Sequence, residues 1–74
     1  MTFERLNAIC NEFARPMMGD EMILDDIESH ASDLGASFLM CHSDWMGWAR
    51  DLGLSPRAMK EYVAEEIAEA LRSG

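Results

Sequence analysis

At 74 residues the chain is sized for a single domain, close to the lower limit at which one core folds unaided. Its 49% hydrophobic residues exclude global disorder, and its size leaves little material for a deep catalytic cleft. Fourteen acids against six bases give a formal charge of −8, a surface that phosphate backbones repel and a basic partner attracts, unless a local positive face escapes the average.

The N-terminal stretch predicts an amphipathic helix. Thr2 is placed to cap it, and Phe3, Leu6, Ile9, Cys10 and Phe13 recur at three- and four-residue steps, the spacing of one buried stripe. Arg15-Pro16 ends it, because proline disfavours helix in the residue before it. Met17-Met18-Gly19 reads as a short connection. Asp20 can cap a second helix, in which Ile23, Ile27, Ala31 and Leu34 fall within about 80° of arc, with Leu24 at the margin. Glu21, Asp25 and Glu28 lie roughly opposite, flanked by Asp26 and Asp33, so this helix is expected to carry a carboxylate-coated outer face. Gly35 is the expected C-terminal stop.

Residues 36–42 contain Phe38-Leu39-Met40-Cys41, a run too short for periodicity to separate helix from strand; the helical surroundings favour a helical turn or short helix. Ser43 is the expected cap of a helix over 44–52 with Trp45, Trp48, Ala49 and Leu52 as its apolar stripe. Gly53-Leu54-Ser55 forms a turn. Ser55 as N-cap and Pro56 at the first helical position open a last helix that runs to about Leu71, with Met59, Tyr62 or Val63, Ile67 and Leu71 inward and Ala70 beside them. The fold expected is all-α, one domain over 1–74 with four or five helices and a helix-turn-helix at about 44–64.

Two helices meeting steeply need a small residue at their approach, a glycine of positive φ in the turn and apolar residues to lock the pair. Ala49, Gly53 and the set Leu52, Leu54, Met59 and Tyr62 supply these. Over about 20 residues, Trp45 to Ala64, the segment resembles the helix-turn-helix of the phage repressor and Cro families. The string Leu52-Gly53-Leu54-Ser55-x-Arg57-x-Met59 is also similar to small phage-borne regulators encoded beside anti-CRISPR genes, which implies a mobile-element origin. Carried over from the repressor family, the DNA-contact positions are Ser55, Arg57, Lys60, Glu61 and Ala64, with Arg57 forking onto guanine, Lys60 meeting phosphate and Arg50 adding a backbone contact. Residues 50–60 hold three bases against one acid, but Glu61, Glu65, Glu66 and Glu69 follow at once and crowd the same groove.

The opposing signal is stronger. Residues 16–49 contain no lysine and no arginine and carry seven carboxylates: Asp20, Glu21, Asp25, Asp26, Glu28, Asp33 and Asp44. Acids at Glu21, Asp25 and Glu28 space negative charge by roughly 5–6 Å along one helix face, compatible with occupying a basic groove built for nucleic acid. The plain alternative is a solvated face, with Asp20 and Glu21 favoured near the positive end of the helix.

No catalytic or metal chemistry is legible. Cys10, His30, Cys41 and His42 lack metal-ligand spacing, and no nucleophile has a base partner, so neither enzyme activity nor a cofactor is expected. Two cysteines are too few for a disulfide framework and are expected as reduced, semi-buried small hydrophobes. His30 is expected at the edge of an apolar stripe. Trp45 and Trp48, one turn apart, are expected in the core, with one of them as a candidate interface anchor. The start Met-Thr-Phe-Glu-Arg lacks a basic region followed by an apolar run, and no stretch reaches the ~18 apolar residues of a membrane span. The expected setting is cytoplasmic, without a membrane partner. The leading expectation is an acidic protein-binding module, an inhibitor of anti-CRISPR type, that blocks a basic nucleic-acid-handling partner through Glu21, Asp25, Asp26, Glu28 and Asp33. The alternative is a dimeric DNA-binding regulator that grips duplex DNA through Arg50, Ser55, Arg57 and Lys60.

Overall fold

In the computed structural model, which describes residues 1–17 and 24–73, the chain is all-α, with four α-helices and no strand among the described residues. Helix α1 is Phe3–Ala14, followed by a single 3₁₀ turn at Arg15–Met17; α2 is Leu24–Cys41, α3 is Trp45–Leu52 and α4 is Pro56–Ser73. The proposed Asp20 cap, the Met18-Gly19 link and Ile23 lie outside the described residues.

Each boundary has a local cause. The Thr2 hydroxyl accepts from the Arg5 amide at 3.1 Å and caps α1. Gly53 stands at φ 72, the left-handed conformation that closes α3, and the Leu54 amide donates to the Ala49 carbonyl at 2.8 Å. The Ser55 hydroxyl accepts from the Ala58 amide at 3.1 Å, with Pro56 in the first helical position of α4.

The expected break at Gly35 does not occur: α2 runs unbroken through residues 36–41. Gly35 is buried at the closest approach of α2 and α4, where an added Cβ would meet the Cα and Cβ of Ala64 at 3.4 Å. The glycine serves helix packing, not helix termination. The separate short element expected over 36–42 is therefore the last two turns of α2. Ser43 is likewise not the cap of α3; it lies in the turn, and Asp44 holds the N-cap position without a side-chain cap bond, its carbonyl accepting from the Trp48 amide.

Helix α4 is the spine. It packs most extensively on α2 and next on α1. Glu28 meets Arg72 at one end, Gly35 meets Ala64 midway and Lys60 lies over Trp45 just past the end of α2, so α2 and α4 run antiparallel. The core holds Leu6, Cys10 and Ala14 from α1, Ile27, Ala31, Phe38 and Leu39 from α2, Ala49 from α3, and Met59, Val63, Ile67, Ala68, Ala70 and Leu71 from α4. Phe38 is fully buried and joins the layers: its ring packs edge-on against Phe13 at 5.4 Å and over His42 at 4.2 Å, and His42 in turn meets Trp48 at 5.4 Å. Phe3, expected inward, is 44% exposed and covers Tyr62 instead, with centroids 5.3 Å apart.

Between α1 and α4, Tyr62 donates to the Asn7 side-chain oxygen at 2.5 Å. Burial, with Glu66 nearby, pushes the Cys10 thiol up to about 12, so it is an inert core thiol. Glu66 is the one described carboxylate drawn partly inward. Desolvation first, then Glu69 and Glu65, raise its pKa, so the native state binds its proton more readily than the unfolded chain does. Ionised Glu66 therefore opposes folding, fully so above its raised native pKa, and the penalty fades as pH falls through the carboxylate range. Glu66→Gln is expected to stabilise the fold at pH 7 by about 0.5 kcal/mol, the scale of relieved like-charge contacts on a helix. Thermal melts of both chains should converge at about pH 3, where the wild-type carboxyl is neutral too. A constant difference across that range contradicts the assignment.

Candidate partner-binding surface

The acidic residues proposed from the sequence fare unequally. Glu21 lies outside the described residues, and Asp25 is in the first turn of α2. Asp26, Glu28 and Asp33 are exposed. Because α2 continues to Cys41, its buried arc is set by Ile27, Ala31, Phe38 and Leu39, which rotates the outward face away from the sequence expectation. Asp26 and Asp33, seven residues apart, now share the outer line, about 10 Å from each other along the axis. Glu28 sits at the flank toward α4, with its Oε1 3.8 Å from Arg72 Nη2. The face is sparse compared with the phosphate spacing of a duplex. It is an anionic surface, not a copy of a phosphate ladder.

The cationic residues are divided. Arg15 pairs with Glu12 at 3.0 Å, Arg57 with Glu61 at 3.9 Å and Arg72 with Glu28 at 3.8 Å, so half of the six bases face a carboxylate. Lys60 Nζ rests 5.9 Å from the centre of the Trp45 ring, a cation–π contact. Arg50 makes no ion pair among the described residues and has Asp51 beside it in sequence. Ser55 is exposed, its hydroxyl engaged in capping α4. Ala64, the deepest of the positions carried over from the repressor family, faces Gly35 of α2. The stretch of α4 that would lie along a base-pair edge is thus partly walled by another helix of the same chain.

That wall creates a feature not expected from the sequence. A groove of about 550 Å³ runs between α2 and α4 and ends at α3, lined by Gly35, Ala36, Leu39, Met40, Ala64 and Trp45, with Ser32, Lys60 and Glu61 at its rim. Small residues at Gly35, Ala36 and Ala64 form its floor. Met40 is 85% exposed on one side and Trp45 half-buried at the end. The signal available in the sequence is Gly35 followed by Ala36 inside a helical period, small residues that permit close helix approach.

Cys41 is exposed, contrary to the semi-buried expectation, because it ends α2 on the side away from the core. His30 is exposed, beyond the edge of the stripe. His42 Nδ1 lies 2.7 Å from the Phe38 carbonyl. No group of three or more potential metal ligands is present among the described residues. Among them, too, no helix is long and apolar enough to cross a membrane. Comparison with known proteins gives no matching family, no matching curated protein and no matching solved structure.

Proposed function

We propose that this small all-α domain is an acidic protein-binding module that occupies a basic, nucleic-acid-binding face of a partner, as an inhibitor of anti-CRISPR type carried by a phage or other mobile element does. One observation carries the reading: 34 consecutive residues, 16–49, are devoid of lysine and arginine, and the described acids of α2 within them, Asp26, Glu28 and Asp33, all stand at the surface. Charge of one sign over a whole helix and its flanks steers association with a basic surface. The active residues are Asp26 and Asp33, with Glu28 at their edge and with Asp25 and Glu21 extending the acidic run in sequence.

A second reading, a dimeric DNA-binding regulator using Arg50, Ser55, Arg57 and Lys60, is favoured by the turn: Gly53 is left-handed, Ser55 caps α4 and Ala49 is buried where the two helices meet. Against it stand Glu61 beside Arg57 and α2 over Ala64. A dimeric binder needs ~6–10 phosphate contacts, which three cations per protomer around the turn barely provide. A gel shift separates the readings. At low salt the first expects no retardation of duplex DNA; tight, salt-sensitive binding lost in Arg57→Ala makes the second correct.

A further inference from the structure

We propose that the groove between α2 and α4 is the seat for a basic amphipathic helix of the partner, its apolar stripe laid on the small-residue floor and its cations directed at the α2 rim. The inference rests on the protein-binding reading above and names the element that the acidic surface receives.

Two observations carry it. First, the shape: a floor of Gly35, Ala36 and Ala64 between the longer side chains of Leu39, Met40 and Trp45 is a trough that accepts a ridge of side chains from a third helix. Met40, 85% exposed, is an adaptable apolar contact that the monomer leaves uncovered. Second, the charge is lopsided. Helix α2, which forms one wall, has no lysine or arginine and exposes Asp26, Glu28 and Asp33 outside the groove lining, while on α4 Arg57 and Arg72 already face Glu61 and Glu28 and Lys60 lies over Trp45. A helix laid in the groove meets net negative charge along α2. At the end of the groove Lys60 already lies over Trp45 and Glu61 already faces Arg57, so the incoming cations are directed at α2. A second copy of the chain is a poor occupant, since each copy brings a charge of −8.

The test uses the full chain, ¹⁵N-labelled, titrated with a synthetic leucine/lysine peptide of about 18 residues patterned as an amphipathic helix, about 27 Å long. A shuffled peptide of the same composition and a leucine/glutamate peptide of the same pattern serve as controls. The expected result is amide shifts concentrated at Ala36, Met40 and Glu61 and an affinity about tenfold above the shuffled peptide, or ~1.4 kcal/mol. Ala36→Phe, which fills the trough from an exposed position, should lower that affinity about tenfold without lowering the melting temperature by more than a few degrees. Equal binding of the patterned and shuffled peptides, or no effect of Ala36→Phe, overturns the groove as the seat and leaves the acidic-module reading standing. Failure of every cationic peptide to bind at low salt sinks both. Shifts at the groove that grow with protein concentration in the absence of peptide identify a second copy as the occupant and also overturn the proposal.

Discussion

Phe38→Ala is expected to bring the domain to the edge of unfolding. The ring is fully buried and packs on Phe13 of α1 and on His42, which in turn meets Trp48 of α3. Removing a buried phenylalanine costs about 3–5 kcal/mol, from lost transfer energy and from the cavity left behind. A chain of this length has a total stability of about 4–11 kcal/mol at ordinary values per residue. The substitution therefore removes between about a quarter and all of it. Urea unfolding followed by tryptophan emission reads the loss as a fall in midpoint at unchanged slope. A loss under about 1 kcal/mol contradicts the central position given to this ring.

Much of this architecture was legible in the chain because it rests on local chemistry. Thr2, Gly53, Ser55 and Pro56 each act through the backbone within three or four residues, so α1, the turn and the start of α4 could be read directly. Met59, Val63 and Ile67 recur at helical spacing and are all fully buried. Gly35 is ambiguous in the sequence because the same residue type ends helices and permits close approach of helices, and only the position of Ala64, 29 residues further on, decides between the two. A helix ending at Gly35 has no Phe38 or Leu39 in its inward arc, and the outward placement of Asp26, Asp33 and Glu28 shifts with it. Phe3 and Cys41 depart from the expectation for a related reason. An apolar side chain at the end of a helical stripe is buried only if a neighbour reaches it, and at both positions none closes over fully. The candidate surface was legible as charge, since a run without bases is a property of the sequence alone. The groove beside it was not, since it exists only when α2 and α4 are brought together.

Reversing the charge of the outer face of α2 is expected to abolish partner binding while leaving the fold in place. Asp26 and Asp33 are exposed and make no ion pair among the described residues, so Asp26→Lys with Asp33→Lys removes no internal contact. Lysine is a slightly better helix former than aspartate, which offsets the about 0.3–1 kcal/mol lost by placing a cation in the first turn at Asp26. Across an interface the change is large, because two attractions become two repulsions. Close interfacial charge pairs are coupled by about 1.5 kcal/mol or more each, so a loss of about 3 kcal/mol, roughly a hundredfold in affinity, is expected. The most direct measurement immobilises the wild-type and doubly reversed chains side by side in nuclease-treated extract of the cell that carries the gene. It quantifies the basic nucleic-acid-binding protein each retains, then elutes with duplex nucleic acid, with circular dichroism confirming equal helix content. Wild type should hold such a protein and release it to the duplex, and the reversed chain should hold about a hundredth as much. Equal retention by both chains, or a captured protein indifferent to added duplex, contradicts the account.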